Sequence, residues 1–526
     1  MIDYHIYWGD MHDNTYSTAK KSREGIVTAL ERARSHLDFY AAAYYTSWAE
    51  TYESVEDHIV RSDAKQRIAP EDWKDPERIA REWADVQDGT RRFNEDGCFT
   101  TFPGYEWQGD ASSGDHNVFF RTEGGPVCRV DTLPELYRCL EGYDAIAIPH
   151  HTAYRVGLRG KDWSLHDDVR SPFAEVYSVH GSSEVDDEWI GLRCNSHMGP
   201  GFGAGTYQAG LDSGLHIGAL CSTDNWGCMP GCYGHGLAAC LAPALTRESL
   251  WEAFHARRVY GVTGDRIKLD VRVNDATMGS IIKSQGPRRI RVHVRGLDEL
   301  DRIEILRGGR VIHTHCHQGT WRIRRPGECG RFVLRVECGW GPRPNELPVR
   351  ERSWAGRVIV SGGRILSATP CWISEQPGCP VCSGAAADFA LVTSTSHVSE
   401  PVQNSNVFEF SADPSGMLRV ELNGLSAEGT VAEFCSGSRE LWFREEAVKM
   451  LADEAGLDPT SVSRQDIYHH LGYKAKLHRA IPEAGYTATV DFEDDTPLEG
   501  ETHYRVRVEQ RNGQRAWSSP IWVMPA

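Results

Sequence analysis

Apolar and polar positions along the first half of the chain follow two alternating rhythms. Short apolar runs at Ile6–Trp8, Leu37–Ala43, Phe99–Tyr105, Asn117–Arg121, Asp144–Ile148, Phe173–Val179 and Leu215–Cys221 have the length and composition of buried strands. Between them lie stripes at helical spacing. Ser22–Arg34 carries Ile26, Leu30 and Ala33, and the stretch after Asp75-Pro76 carries Ile79, Trp83, Val86 and Phe93. Asp75 supplies an N-cap carboxylate and Pro76 a preset first helical residue. Thr132 and Thr246 are placed to cap helices bearing Leu136 and Leu140, and Leu250 and Phe254. Repeated strand–helix alternation predicts an α/β domain over residues 1–266.

From about Ile267 the texture changes. Alternating segments such as Lys268–Val273, Arg289–Val294 and Arg302–Leu306, separated by Gly, Asp and Asn, predict a β-sandwich-like domain over 267–370. A second, mainly β region over 371–526 is expected to contain one helix, Arg444–Ala455. Residues 356–366 read as a hairpin about Gly362-Gly363, and the closing segments around Asn512-Gly513 as another.

Several β-like runs in the first domain end in residues able to bind a metal. The first run gives way to Gly9, Asp10 and His12, and later ones end at Glu106, His150, His180 and Asp224. Taken singly, each is as well explained by a satisfied structural group. Together they predict one metal site at the carboxyl ends of successive strands, where rigid elements hold ligands closely. Three imidazoles and two carboxylates suit one or two divalent ions, Zn²⁺, Mn²⁺ or Fe²⁺, and disfavour a thiolate site.

The segments Tyr7–His12, Gly104–Trp107, Ile148–His150, Glu175–Glu184 and Ser222–Asn225 resemble the PHP (polymerase and histidinol phosphatase) superfamily. They are most similar to a PHP-like branch of unknown function, which Thr263–Ile267 and Ala516–Pro520 also resemble. The resemblance implies a distorted (β/α)7 barrel with up to three divalent ions, hydrolysing phosphate esters. Its first motif, His-x-His, here has Asn14 in second place. Its Asp-His after the second strand is replaced by Tyr44-Tyr45, and its last Asp-x-His by Asp224-Asn225-Trp226. The resemblance therefore assigns one ion to Glu106, His150 and His180, and a weakened second to His12 and Asp224 beside the shared Glu106. The third position is expected to be empty, which argues against ordinary phosphatase chemistry.

His116, His151 and Tyr45 are candidate catalytic groups near such an ion, the histidines because imidazole titrates near neutrality. Tyr44, Arg155, Trp226 and Arg266 are candidate substrate contacts, with Arg159 and Lys161 also close in sequence to His150. His313, His315 and His317 read as histidines of one exposed strand face rather than as a second site.

Composition narrows the classes. A net charge of −17 without Lys/Arg runs excludes a nucleic-acid footprint. No run of 18 apolar residues and no signal-like N-terminus are present, so a cytoplasmic protein without membrane contact is expected. Fifteen scattered cysteines fit reduced thiols, and Cys379-Pro-Val-Cys382 alone is short of a four-ligand metal site. The first expectation is a metal-dependent hydrolase of a small molecule. The alternatives are a mononuclear non-haem iron enzyme doing oxidative, elimination or C–N/C–O cleavage chemistry, and a non-catalytic binding protein. The β-rich half is available to build the pocket, to cover it or to support a homo-oligomer.

Overall fold

A strand must run from Ile6 into His12, because its apolar start has to be buried while its polar end is delivered to a site. In a computed structural model of the chain this strand is β1 (His5–Thr15), buried from Trp8 through Asn14. The structure describes residues 4–16, 25–45, 76–188, 190–192, 198–225, 229–317, 321–342, 351–394, 403–456, 458, 460–461, 463 and 466–526. The chain forms two compact units. One comprises residues 1–295, 301–316 and 488–526, the other 296–300 and 317–487. This division falls elsewhere than the boundaries expected at 266 and 370, because residues 267–295 and 301–316 stay with the first unit and residues 488–526 return to it.

In the first unit β2 (Phe39–Tyr45) runs parallel to β1 and to β3 (Gly104–Trp107). Two antiparallel strands follow, β4 (His116–Phe120) and β5 (Ala145–Pro149). β6 (Phe173–Ser178) and β7 (Gly218–Cys221) pair with each other in parallel. On the other side of β1 lie β8 (Leu237–Ala242) and β9 (Val259–Val262), both antiparallel. The architecture is mixed α/β with several sheets. The β6–β7 ladder is separate from the large sheet, so no closed barrel forms among the described residues. The antiparallel pairs also depart from the all-parallel (β/α)7 expectation.

The helices bury the stripes the sequence marked. They are α1 (Ile26–Arg34), α2 (Pro76–Phe93), α3 (Leu133–Cys139) and α4 (Arg247–His255). Thr132 and Glu135 form a reciprocal capping box on α3, and Thr246 Oγ1 accepts from Ser249 N at 3.2 Å at the start of α4. Phe39, Phe102, Phe119, Ile148 and Phe173 pack against Trp251 and Phe254 of α4 in one core. Each such side chain contributes roughly 1.5–3 kcal/mol of burial. One pair of cysteines departs from the reduced expectation: Cys128 and Cys139 are joined in a disulfide. No described helix is long and apolar enough to cross a membrane.

The chain closes with β10 (Thr502–Gln510), β11 (Arg515–Ser518) and β12 (Ile521–Pro525). β11 pairs with β9, so the C-terminal strands extend the sheet that contains β1. The turn at Asn512-Gly513 connects paired strands as expected, with Gly513 at φ +83°. Arg505 and Arg507 of β10 and Trp517 of β11 converge on Glu184, which is fully buried. Trp517 Nε1 donates to Glu184 Oε2 at 2.6 Å, and its ring stacks on Tyr177 of β6.

The second unit has two sheets of six and five strands and the expected helix Arg444–Ala455, which is not the single helix expected. Val431–Ser436, Asp466–Leu471 and Glu483–Tyr486 are short helices whose few residues leave too little periodic signal in the sequence. The hairpin expected at Gly362-Gly363 does not form. Glu351–Val360 pairs with Ala386–Ser394, whereas Arg364–Cys371 pairs with Asn404–Ala412 of the other sheet. The glycines let the chain cross between sheets, since a Cβ on Gly363 would lie 2.3 Å from the Ser411 carbonyl oxygen. Cys379 and Cys382 are both exposed and belong to no metal-competent group among the described residues.

Burial opposes ionisation of Glu184, but Arg505 and Arg507 outweigh it and hold the carboxyl well below the usual carboxylate range. Glu184→Gln leaves the buried Arg505 without a carboxylate, while Arg507 keeps Glu304 at 2.7 Å, and is expected to cost about 3–5 kcal/mol at pH 7 by denaturant unfolding. The ion pairs' contribution is present above the unfolded-state value of about 4.3 and fades as pH falls toward the depressed folded value. The gap between variant and parent should therefore narrow below about pH 4.

Candidate metal centre

The polar end of β1 is aimed by an irregularity. Its register with β2 shifts between Asp10 and Asp13, a bulge that turns His12 inward. Asp10 then ties this segment to the loop after β7. It accepts from His12 N at 3.0 Å, Thr223 N at 3.2 Å, Thr223 Oγ1 at 2.6 Å and Gly231 N at 2.8 Å. That loop holds Asp224 in the left-handed region at φ 47°, a conformation that persists where surroundings impose it.

The side chains converge. His12 Nε2 lies 3.3 Å from Asp224 Oδ1 and 3.7 Å from Glu106 Oε2, while its Nδ1 is 2.9 Å from Glu175 Oε2. His180 Nε2 lies 2.9 Å from Asp224 Oδ2, and His150 Nδ1 lies 3.8 Å from the same oxygen. His12, His150, Glu175 and Asp224 each present one donor atom within 4.8 Å of all the others, and all four are buried.

Hydrogen bonding tests whether these residues suit a cation. Both ring nitrogens of His150, together with His12 Nε2, are buried without a hydrogen-bond partner. An orphaned buried polar atom costs about 1–3 kcal/mol, so His150 and His12 Nε2, side by side with Asp224, offer donor atoms for a shared partner. Burial and the neighbouring imidazoles of His12 and His151 push the His150 pKa well down, which leaves a neutral ring with a free lone pair. Neutral imidazoles with carboxylates are the donors that Zn²⁺, Mn²⁺ and Fe²⁺ take. The residues fit such an ion.

The other expected residues divide. Tyr45 approaches the cluster through Gln108, whose Nε2 lies 3.3 Å from its hydroxyl and 2.7 Å from Glu106 Oε1. Strand alternation sends Tyr44 the opposite way: its hydroxyl donates to Glu82 Oε2 at 2.9 Å on α2, so it does not line the site. His151, at φ 33°, sets its ring 4.2 Å from that of His150 and 5.2 Å from that of His180. His116 is occupied elsewhere, with Nδ1 2.9 Å from Gly114 O and Nε2 3.2 Å from Lys161 Nζ. Lys161 is fully buried, and burial pushes its pKa down to about 7.

Arg159 pairs with Asp115, whose carboxyl is pushed up to about 7 by burial despite that pairing. Arg155 is exposed. Arg266 donates to His36 O at 2.5 Å, on the connection between α1 and β2, rather than to the cluster. Trp226 lies outside the described residues. Asn14 Nδ2 reaches Asp224 Oδ1 at 3.5 Å, so it contacts a carboxylate of the cluster. His313 stacks on Phe492 and His315 stays exposed, apart from the cluster.

Two members had not been singled out from sequence, Glu175 and Asp10. The signal for Glu175 was a carboxylate in the middle of the otherwise apolar run Phe173–Val179. Asp10 was visible only as one polar residue among several.

Residues 3–158 match a family described as a protein of unknown function, DUF3604. An uncharacterized protein of Chlamydia pneumoniae is 26% identical over 334 residues, covering 59% of this chain and 48% of its own length. One of Chlamydia muridarum is 26% identical over 207 residues, covering 36% of this chain and 33% of its own. The chain thus spans about half the length, or less, of these relatives. A solved structure from Bacteroides vulgatus, a two-domain protein containing a predicted PHP-like metal-dependent phosphoesterase, aligns at 10% identity. It covers 81% of this chain and 95% of that chain with a TM-score of 0.33, a likeness too low to carry an argument.

Replacing His150 by Leu removes nitrogens that bond to nothing in the protein. In chelator the variant's stability should stay within about 1 kcal/mol of the parent. Its metal content after purification should fall about tenfold or more, read by elemental analysis.

Proposed function

We propose that this protein is a metal-dependent hydrolase of a small molecule, with one or two divalent ions held by His12, Glu106, His150, His180 and Asp224. The observation that carries this reading is His150, a buried neutral imidazole with neither nitrogen hydrogen-bonded, set between the rings of His12 and His151 and 3.8 Å from Asp224. When bound, such an ion polarises an ester or amide oxygen and brings the acidity of water near neutrality.

The chain's own residues supply the rest. Asp224 and Glu106 place negative charge against the ion, and Asp10 keeps Asp224 and His12 in register. His151 stands beside His150 and His180, with Nδ1 buried and unpartnered and Nε2 3.6 Å from Asp115 Oδ2. Burial and the neighbouring His180 push its pKa well down, so the ring is neutral and Nδ1 is placed to accept a proton from an attacking water, with Asp115 beside the other edge. Tyr45, near Glu106, contributes a hydroxyl whose pKa is pushed up by burial, so it stays protonated and able to donate.

The test is elemental analysis of protein purified without added metal, followed by assays on phosphomonoesters, carboxylic esters and amides. Turnover should vanish in chelator, return with Mn²⁺ or Zn²⁺, and be absent from His150→Leu. One firmly held iron with oxygen-dependent turnover would replace hydrolysis by oxidative chemistry, and absence of any bound metal would favour a binding protein. His151→Gln should keep its metal and lose about 10²–10⁴-fold in kcat with little change in KM.

A further inference from the structure

The two edges of the His12 ring meet different surroundings. Nδ1 lies 2.9 Å from Glu175 Oε2. Nε2 faces Asp224 Oδ1 at 3.3 Å and Glu106 Oε2 at 3.7 Å, with no hydrogen-bond partner. His12 and Glu175 are both shut from solvent. The lone pairs of an imidazole diverge, so a cation on the Nε2 edge lies across the ring from Glu175.

The origin of Glu175 agrees with this. It comes from the interior of β6, two residues after Phe173, which belongs to the hydrophobic core with Phe39 and Ile148. Alternation puts residues 173 and 175 on one face of the strand. His180, beyond the end of β6, is the residue from this segment that reaches Asp224. Glu175 thus approaches His12 from the core side, and His180 approaches the cluster from the strand end. A ligating histidine commonly donates its other ring N–H to a carboxylate, which sets the tautomer and ring orientation and raises the ring's basicity toward the metal.

Resting on the metal reading above, we propose that Glu175 is a positioning residue and not a ligand: it holds His12 as the Nδ1–H tautomer and leaves Nε2 to the ion. The ligand set is then His12 Nε2, Glu106, His150, His180 and Asp224. Glu175 Oε2 is committed to the Nδ1 edge of His12, while its Oε1 is buried without a hydrogen-bond partner and the carboxylate is within reach of the cluster, so the test has to separate positioning from ligation.

Titration of metal-free full-length protein with Mn²⁺ and with Zn²⁺ separates the two roles. Glu175→Gln keeps an amide oxygen that accepts from Nδ1–H but lacks the carboxylate's charge, so its affinity should fall by less than about tenfold and by less than that of Glu175→Ala. Glu175→Ala should weaken binding by about 10–100-fold. A direct ligand predicts instead that both variants lose affinity alike, and that result overturns the inference, as does parental affinity in Glu175→Ala. A readout independent of metal is the tautomer of His12 in ¹⁵N-histidine-labelled metal-free protein at alkaline pH, where the ring is neutral, assigned by its loss in His12→Gln. Nδ1–H in the parent and in Glu175→Gln, but not in Glu175→Ala, is the expected pattern, and an Nε2–H parent overturns the inference even if metal binds. A parent that binds neither ion while showing Nδ1–H overturns the metal reading and the ligand assignment with it. Melting curves of the metal-free variants check that a lost affinity is not a lost fold.

Discussion

Burying Glu106, Glu175 and Asp224 together, away from water, is the constraint on which the first unit depends. Three carboxylates in a low-dielectric space repel one another and lose their hydration, so they persist only where positive charge or protons compensate. His12 and His180 lie against them at 2.9–3.3 Å. His150 adds a neutral ring whose nitrogens bond to nothing in the protein. The shortfall left by the protein's own hydrogen bonds is what a divalent cation would make good.

Such a site needs supports that do not yield. Asp10 supplies one by gathering four donors from β1 and the loop after β7, which joins the two segments bearing His12 and Asp224. Glu184 supplies another, near the other side of β6. Its contacts with Arg505, Arg507 and Trp517 attach the C-terminal strands to the segment that carries Glu175 and His180. The first unit is therefore discontinuous in sequence, with residues 317–487 forming a separate unit between its parts.

Much of the local structure was legible. β1, the capped helices α3 and α4, and the helix Arg444–Ala455 follow from apolar spacing and capping residues, which act over a few neighbouring positions. Local pattern and structure part where strand neighbours come from far along the chain. Residues 356–366 look like a hairpin by composition, yet the strands on either side of Gly362-Gly363 join different sheets. Tyr44 and Tyr45 are alike by residue type, but alternation in β2 sends the first to Glu82 and the second toward Glu106. Arg266 and His116 were plausible at the site by motif and are taken up by His36 and Lys161.

What the sequence determined by itself was that His12, Glu106, His150, His180 and Asp224 fall at or near strand ends, because alternation and strand length are local properties. Tertiary structure alone decided which edge of each ring faces which carboxylate, which tyrosine turns inward, and that Glu175 belongs with His12. Those choices depend on pairs such as His12 and Glu175, 163 residues apart, or Glu184 and Arg505, 321 apart. Such pairs meet only after the strands have packed, and no local pattern in the chain records which will meet.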